Sequence, residues 1–142
     1  MRIVVFEGAD RSGKSTSIKL FNRLTGYKYL LIHRAFFSNY VYDKYHRKDS
    51  EGAKKWIEVL KRINEALISA GWKPVTFILL EASSVILKYK KYFEDQMLFS
   101  REFDQFIKET GSIGVRVHNI GTKEDLMKEL MKLAQRMESG EL

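Results

Sequence analysis

The sequence predicts a single α/β domain of three layers, with helices on both faces of a mainly parallel sheet, and three observations predict it. Short apolar runs rich in Ile, Val and Phe alternate with helical apolar spacing along almost the whole chain. The first of these runs passes through a glycine-punctuated loop straight into a helical pattern. At 142 residues the chain suits one domain, burying roughly two-thirds of the surface of its unfolded form, and it has no internal repeat and no linker rich in Pro, Gly or Ser.

Arg2 to Glu7 reads as a strand covered on both faces, because its letters are apolar without strict alternation. Ser15 to Leu24 places Ile18, Leu20, Phe21 and Leu24 on one helical stripe and stops at Gly26. Tyr27 to Ile32 is predicted as a second buried strand, and the aromatic stretch Phe36 to Tyr45 as a helix or partly ordered segment. His46 to Gly52 is polar throughout and is expected to be an exposed, mobile loop. Ala53 to Ala70 puts Trp56, Leu60, Ile63 and Leu67 on one face, with Gly71 and Pro74 closing the helix. Val75 to Leu80 is the third strand, followed by a short helix from Ser84 to Tyr89 and a basic, aromatic segment from Lys88 to Phe93. A helix carrying Phe99, Phe103 and Phe106 comes next, and Val115 to Ile120 is the fourth strand. Thr122 caps the last helix with Asp125 three residues on, and that helix buries Leu126, Leu130, Leu133 and Met137. Right-handed crossovers leave few topologies other than a doubly covered parallel sheet.

Composition narrows the chemistry. The chain has no cysteine, which removes disulfides, thiolate nucleophiles and cysteine metal sites, and its three histidines are too scattered for a zinc site. No run is long and apolar enough for a signal peptide or a membrane span, so a cytoplasmic protein with no membrane partner is expected. A formal net charge of +7 attracts polyanions, with most of the excess spread as solvated lysines along the chain.

Gly8-Ala9-Asp10-Arg11-Ser12-Gly13-Lys14-Ser15 matches G-x-x-x-x-G-K-[ST] in full and lies between a strand and a helix, the context in which that pattern binds phosphates. The glycines let successive amides turn inward, Lys14 brings charge to the terminal phosphates, and Ser15 offers a hydroxyl to Mg2+. The helix that starts here adds its free amides and dipole. A nucleoside triphosphate bound by Gly8 to Thr16 is therefore predicted. Arg11, inside the loop, is a candidate for stabilising the transferring phosphoryl group; its competing reading is a surface pair with Asp10.

From Phe6 to Thr16 the sequence resembles the phosphate loop of thymidylate kinases, F-E-G-x-D-x-x-G-K-S/T-T, in the variant with an arginine after the aspartate. Ile32-His33-Arg34-Ala35-Phe36-Phe37-Ser38, running on to Tyr42, is similar to the D-R-x-x-x-S segment of the same family. The resemblance implies a P-loop fold, ATP as donor with Mg2+, and transfer to a deoxynucleoside monophosphate such as dTMP. It implies Arg11, Lys14 and Arg34 as catalytic residues, and Arg34, Ser38 and Tyr42 as acceptor contacts. Deoxynucleoside kinases carry a similar acidic-Arg pair, so a nucleoside acceptor stays open. A lid at about residues 88–95 is the corresponding expectation for Lys88, Lys90 and Lys91, against a plain solvated helix end. Relatives commonly form homodimers, and the Trp56 to Leu67 stripe suits either an interface or the core.

Two departures bear on activity. His33 stands where the family has an aspartate, and a neutral imidazole does not replace a carboxylate beside a cation. Glu81, at the end of the third strand, is a candidate substitute metal partner, or else a carboxylate paired with a nearby base. Residues 17 to 32 also leave less room than the family has for elements that hold the acceptor.

Three other readings stay in view. Asp49-Ser50-Glu51-Gly52 and Thr122-Lys123-Glu124-Asp125 mimic the D-x-x-G and T-K-x-D motifs of GTP-binding switch proteins, although helix capping explains the second. A nucleotide-binding module without transfer activity fits His33 and the short chain. Nucleic-acid ends would fit the charge, with Tyr40, Tyr42 and Tyr45 stacking on bases, but aromatics so spaced usually form core and nucleic acid is not the expected partner.

Overall fold

In the computed structural model, which describes residues 1–83, 86 and 89–142, four strands form one all-parallel sheet with helices packed on both faces. Strand β1 (Ile3–Gly8) leads through the glycine loop into helix α1 (Lys14–Leu24) and on to β2 (Leu30–His33). Helices α2 (Phe37–Tyr45) and α3 (Ser50–Ser69) precede β3 (Thr76–Ala82). Helix α4 (Lys90–Thr110), β4 (Ile113–Asn119) and α5 (Lys123–Glu138) complete the chain. The sheet order is β2-β1-β3-β4, so β1 lies between its two successors and the chain reverses its direction of travel across the sheet at β1. Crevices at the carboxyl ends of strands beside such a reversal are where open α/β sheets bind ligands.

Alternate residues of the central strands serve opposite layers, as a pleat of period two requires. Val4, Phe6, Ile78 and Leu80 face α1 and α5, where they meet Phe21, Leu130 and Leu133. Val5, Phe77 and Leu79 face α2, α3 and α4. The Phe99, Phe103 and Phe106 stripe of α4 is fully packed there, and the Phe37 ring lies 5.0 to 5.6 Å from all three. Asn64 of α3 fastens this layer to the sheet by accepting the Val75 N–H at 2.8 Å and donating to the Thr110 carbonyl at 2.9 Å. Caps finish the helices. The Thr122 hydroxyl accepts the Asp125 N–H at 3.1 Å, and the Asp49 carboxylate accepts the Gly52 N–H at 2.9 Å. Among the described residues no helix is long and apolar enough to cross a membrane.

Four expectations need correction. The second strand begins at Leu30 rather than Tyr27 and is not buried: Leu30 is 53% exposed, because β2 has a hydrogen-bonded neighbour on one side only. Gly26 and Tyr27 both have positive φ, and their amides still bond back to α1 carbonyls, so the chain is turning where a strand was expected. His46 to Gly52 is not loop throughout, since Asp49 caps α3 and the helix is under way from Ser50. β4 ends at Asn119, leaving Ile120 61% exposed. Of the predicted helix from Ser84 to Tyr89, residues 84, 85, 87 and 88 lie outside the described residues, and with them the lid role of Lys88, while Tyr89 is extended and precedes α4. Lys90 and Lys91 are exposed at the start of α4, where Lys90 sits 3.7 Å from Glu94.

Candidate functional site

The loop after β1 has the backbone its sequence demands. Gly8 (φ +147°) and Gly13 (φ +96°) adopt angles that favour glycine, and Arg11 joins them at +67°. A Cβ on Gly8 would lie 2.7 Å from both the Leu80 carbonyl and the Ser12 hydroxyl oxygen. A Cβ on Gly13 would lie 2.6 Å from the Asn119 amide nitrogen. Both approaches are closer than side chains tolerate, so the loop is pressed against β3 and the end of β4 with no room to spare. The Ser12 N–H donates to the Ala9 carbonyl at 3.2 Å, closing the turn, and Ala9 and Ser12 are buried within it. Helix α1 starts at Lys14 with its first amides directed at the loop opening.

Lys14 is buried, and its Nζ donates to the carbonyls of Gly8 at 3.0 Å and Ala9 at 2.7 Å. Burial, followed by the nearby Arg34 guanidinium, pulls its pKa down to about 8. Around it opens a cleft of about 660 Å³ lined by Asp10, Arg11, Gly13, Lys14, Ser15, Thr16 and His33, and by Ile86, Tyr89 and Tyr92 from the far side of β3 in sequence. Six residues predicted from sequence, Asp10, Arg11, Gly13, Lys14, Ser15 and Thr16, thus share one cavity, and His33, noted as a departure, joins them.

Arg34 reaches the loop as well, donating from Nη2 to the Gly8 carbonyl at 3.3 Å and forming an ion pair with the Asp10 carboxylate. The predicted competitor for Arg11, a pair with Asp10, is therefore replaced by Arg34, and Arg11 instead lines the cleft. His33 ends β2 opposite Phe6 and also lines the cleft. Burial lowers its pKa first, and Lys14 and Arg34 lower it further, so the imidazole is neutral at pH 7.

Other predicted residues are not brought to this cavity. Glu81 sits at the end of β3, where its Oε2 accepts from the Ser100 hydroxyl at 2.7 Å and from Arg116 at 3.1 Å, the pairing given as the alternative to a metal role. Ser38 is buried, and its backbone N–H is spent on Glu7. Tyr42 is half-buried, with its ring 5.8 Å from Phe99 and 5.3 Å from His46. Tyr40 and Tyr45 are likewise packed between α2 and α4, where the Tyr45 hydroxyl and Lys44 both bond Glu102, so none of the three is a stacking platform for bases. Asp49 and Thr122, from the two motifs suggestive of GTP switches, are occupied as helix caps.

Two contributors escaped sequence reasoning. Asn119 donates through Nδ2 to the Ser12 carbonyl at 3.0 Å and accepts the Gly121 N–H at 3.1 Å, holding the loop from a strand 107 residues away. Glu7 lies fully buried beneath the site. The signal for both was position at the carboxyl end of a strand, where polar residues interrupt an apolar run, and Glu7 also stands in the F-E-G-x-D motif without a role having been assigned to it.

The cradle has features that a nucleoside triphosphate site requires: glycine positions that admit no side chain, and Lys14 and Ser15 lining the cleft where α1 begins. For Mg2+ the cleft offers the Ser15 hydroxyl beside phosphate oxygens, a hard-oxygen set that this cation accepts, whereas Glu81 does not fit. Against family models and curated protein sequences, the chain finds no match.

Proposed function

We propose that this chain is a P-loop nucleotide kinase of thymidylate kinase type, transferring the terminal phosphoryl group of ATP to a deoxynucleoside monophosphate such as dTMP. The observation that carries the reading is the loop itself: two glycines in positive φ, a buried lysine, and a helix that begins where they converge.

Phosphoryl transfer is mostly positioning and charge compensation, and each cleft residue has a part in that. Backbone amides from Ala9 to Thr16, apart from that of Ser12, which closes the turn, hold the donor phosphates, with Lys14 exchanging its two carbonyl partners for phosphate oxygens. Ser15 supplies a hydroxyl ligand for Mg2+, which when bound offsets charge on the bridging phosphates. Arg11, presented by its left-handed backbone, compensates charge that builds on the transferring group. Arg34, planar and forked, orients the acceptor phosphate once it leaves Asp10.

Incubation with labelled ATP and a panel of deoxynucleosides and their monophosphates tests this directly. Transfer to at least one monophosphate is expected, with loss of triphosphate binding in Lys14→Ala. Full transfer by Lys14→Ala would overturn the assignment.

A second reading, a nucleotide-binding module without transfer, is favoured by two observations: a histidine, His33, whose pKa burial lowers, stands where the resemblance calls for an aspartate, and Glu81 is bound to Arg116. In that case ATP protects against thermal unfolding, but no acceptor in the panel is labelled.

A further inference from the structure

Glu7 is the last side chain of β1 before the phosphate loop, and it is wholly shielded from solvent. Its Oε2 accepts the backbone N–H groups of Ala35 and Ser38, each at 3.1 Å, while its Oε1 is buried with no hydrogen-bond partner. Both donors flank the turn that carries Arg34, whose own Nε is also buried without a partner. That turn is strained. Arg34 has φ +60°, and Phe36, at φ +65° and ψ −62°, is the centre of a γ-turn closed by Phe37 N–H to the Ala35 carbonyl at 2.7 Å. Conformations of this kind persist only where the surroundings over-determine them. Here the surroundings are the Phe36 ring against Trp56, the Phe37 ring in the core, and one carboxylate reaching up from the sheet.

We propose that Glu7 is a positioning residue: its carboxylate fastens the Arg34 turn to the stem of the phosphate loop, so that a single buried ionisable group governs how well an acceptor phosphate is captured. The inference rests on the reading of Arg34 as the acceptor's phosphate contact and extends it. Glu7 links the two halves of the site covalently and electrostatically, since the donor loop begins at the next residue and the acceptor turn hangs from its side chain.

The electrostatics give the link a pH dependence. Burial raises the Glu7 pKa to about 7, against the opposing pull of the Ser38 and Ala35 amides and of Arg34. The charged and titratable groups facing it are Arg34 on the turn, Tyr42 on α2 and Lys14 on α1, while β3 sets apolar Leu79 beside it. Asp10, farther out, is paired with Arg34. When Glu7 is ionised, both amide bonds are charge-assisted; when it is protonated they become ordinary ones, and Arg34 loses a nearby anion. With Glu7 kept desolvated, the two amide bonds and Arg34, which all favour the ionised form, hold the turn tighter above pH 7 than below it, while the burial that raises the pKa makes the fold as a whole lose stability as pH rises from about 4.5 to about 7.

The test pairs the native protein with Glu7→Gln, which keeps the shape and one carbonyl acceptor but cannot ionise. By NMR, the Ala35 and Ser38 amide protons of the native protein should shift together with a midpoint near 7, and those of the variant should not. With ATP saturating, the variant's KM for the monophosphate acceptor should rise roughly five- to tenfold, the ratio expected when charge-assisted bonds become neutral ones, with a smaller effect on kcat and ATP affinity retained. Native acceptor KM should also rise between pH 8 and pH 6 more steeply than the variant's; titration of the acceptor's own phosphate is common to both. Static amide shifts in the native protein, or equal acceptor KM in the two, would overturn the proposal. Amides that titrate in a protein labelling no acceptor would instead remove the transfer reading, and with it the link from Glu7 to acceptor capture.

Discussion

Lys14 spends its ammonium on its own loop, donating to the Gly8 and Ala9 carbonyls. An incoming oligophosphate must displace two neutral acceptors and supplies anionic ones, which raises the lysine's pKa from about 8 towards or beyond its ordinary value. Binding should therefore draw in a proton: about half a proton per site at pH 8, fading by pH 6.5, where Lys14 is already charged. Calorimetry of triphosphate binding in buffers of different ionisation enthalpy measures the uptake. Heats independent of buffer at pH 8 would place the pKa of Lys14 at its usual value. The place of Lys14 in a glycine loop at the head of a helix was legible because glycines at fixed offsets and a lysine beside a serine have few other reasons to coincide. Its depressed pKa was not, since it arises first from burial and then from Arg34, a residue twenty positions further on, and only the folded chain supplies either. For the same reason the pairing of Asp10 escaped: Arg11 is its neighbour in sequence, but the left-handed backbone at Arg11 accompanies a loop in which Arg34 takes the carboxylate.

At the scale of elements, the phosphate loop is shaped from outside as much as by its own letters. Asn119 at the end of β4 satisfies the buried Ser12 carbonyl and fills the space beside Gly13. Asn119→Ala leaves that carbonyl and the Gly121 N–H without partners, at a cost of about 1–3 kcal/mol. Denaturant melts should show the loss, and nucleotide titration should show weaker triphosphate binding; unchanged affinity would mean that the loop holds its form without β4. Helix and strand types were readable wherever the apolar period was strong, as in the Phe99, Phe103 and Phe106 stripe or the cap at Thr122. The second strand was misjudged because the apolar letters of Tyr27 to Ile32 do not reveal that the strand lies on an edge. Tyr29 stacks on Phe21, 6.4 Å away, from outside the strand, and Leu30 stays largely in solvent. Edge and centre differ in neighbours, and neighbours are a property of topology.

Across the whole molecule, charge and layering act together. The layer of α1 and α5 and the layer of α2, α3 and α4 enclose the sheet, so the cleft opens at the strand ends. A net charge of +7 surrounds an opening lined by Arg11 and Lys14, and that field should speed the approach of an anionic nucleotide. Stopped-flow association rates should fall as ionic strength rises from about 0.01 M, where screening reaches 30 Å, to about 0.15 M, where it shortens to 8 Å; rates indifferent to salt would leave capture to local contacts alone. The bond from Asn119 to the Ser12 carbonyl also carries a meaning for synthesis. In a nascent chain the fourth strand that braces the glycine-rich motif emerges more than a hundred residues after the motif itself. Pairings of such long separation come late because loop-closure entropy must be overcome first. The loop therefore acquires its braced shape well after its own residues have been made.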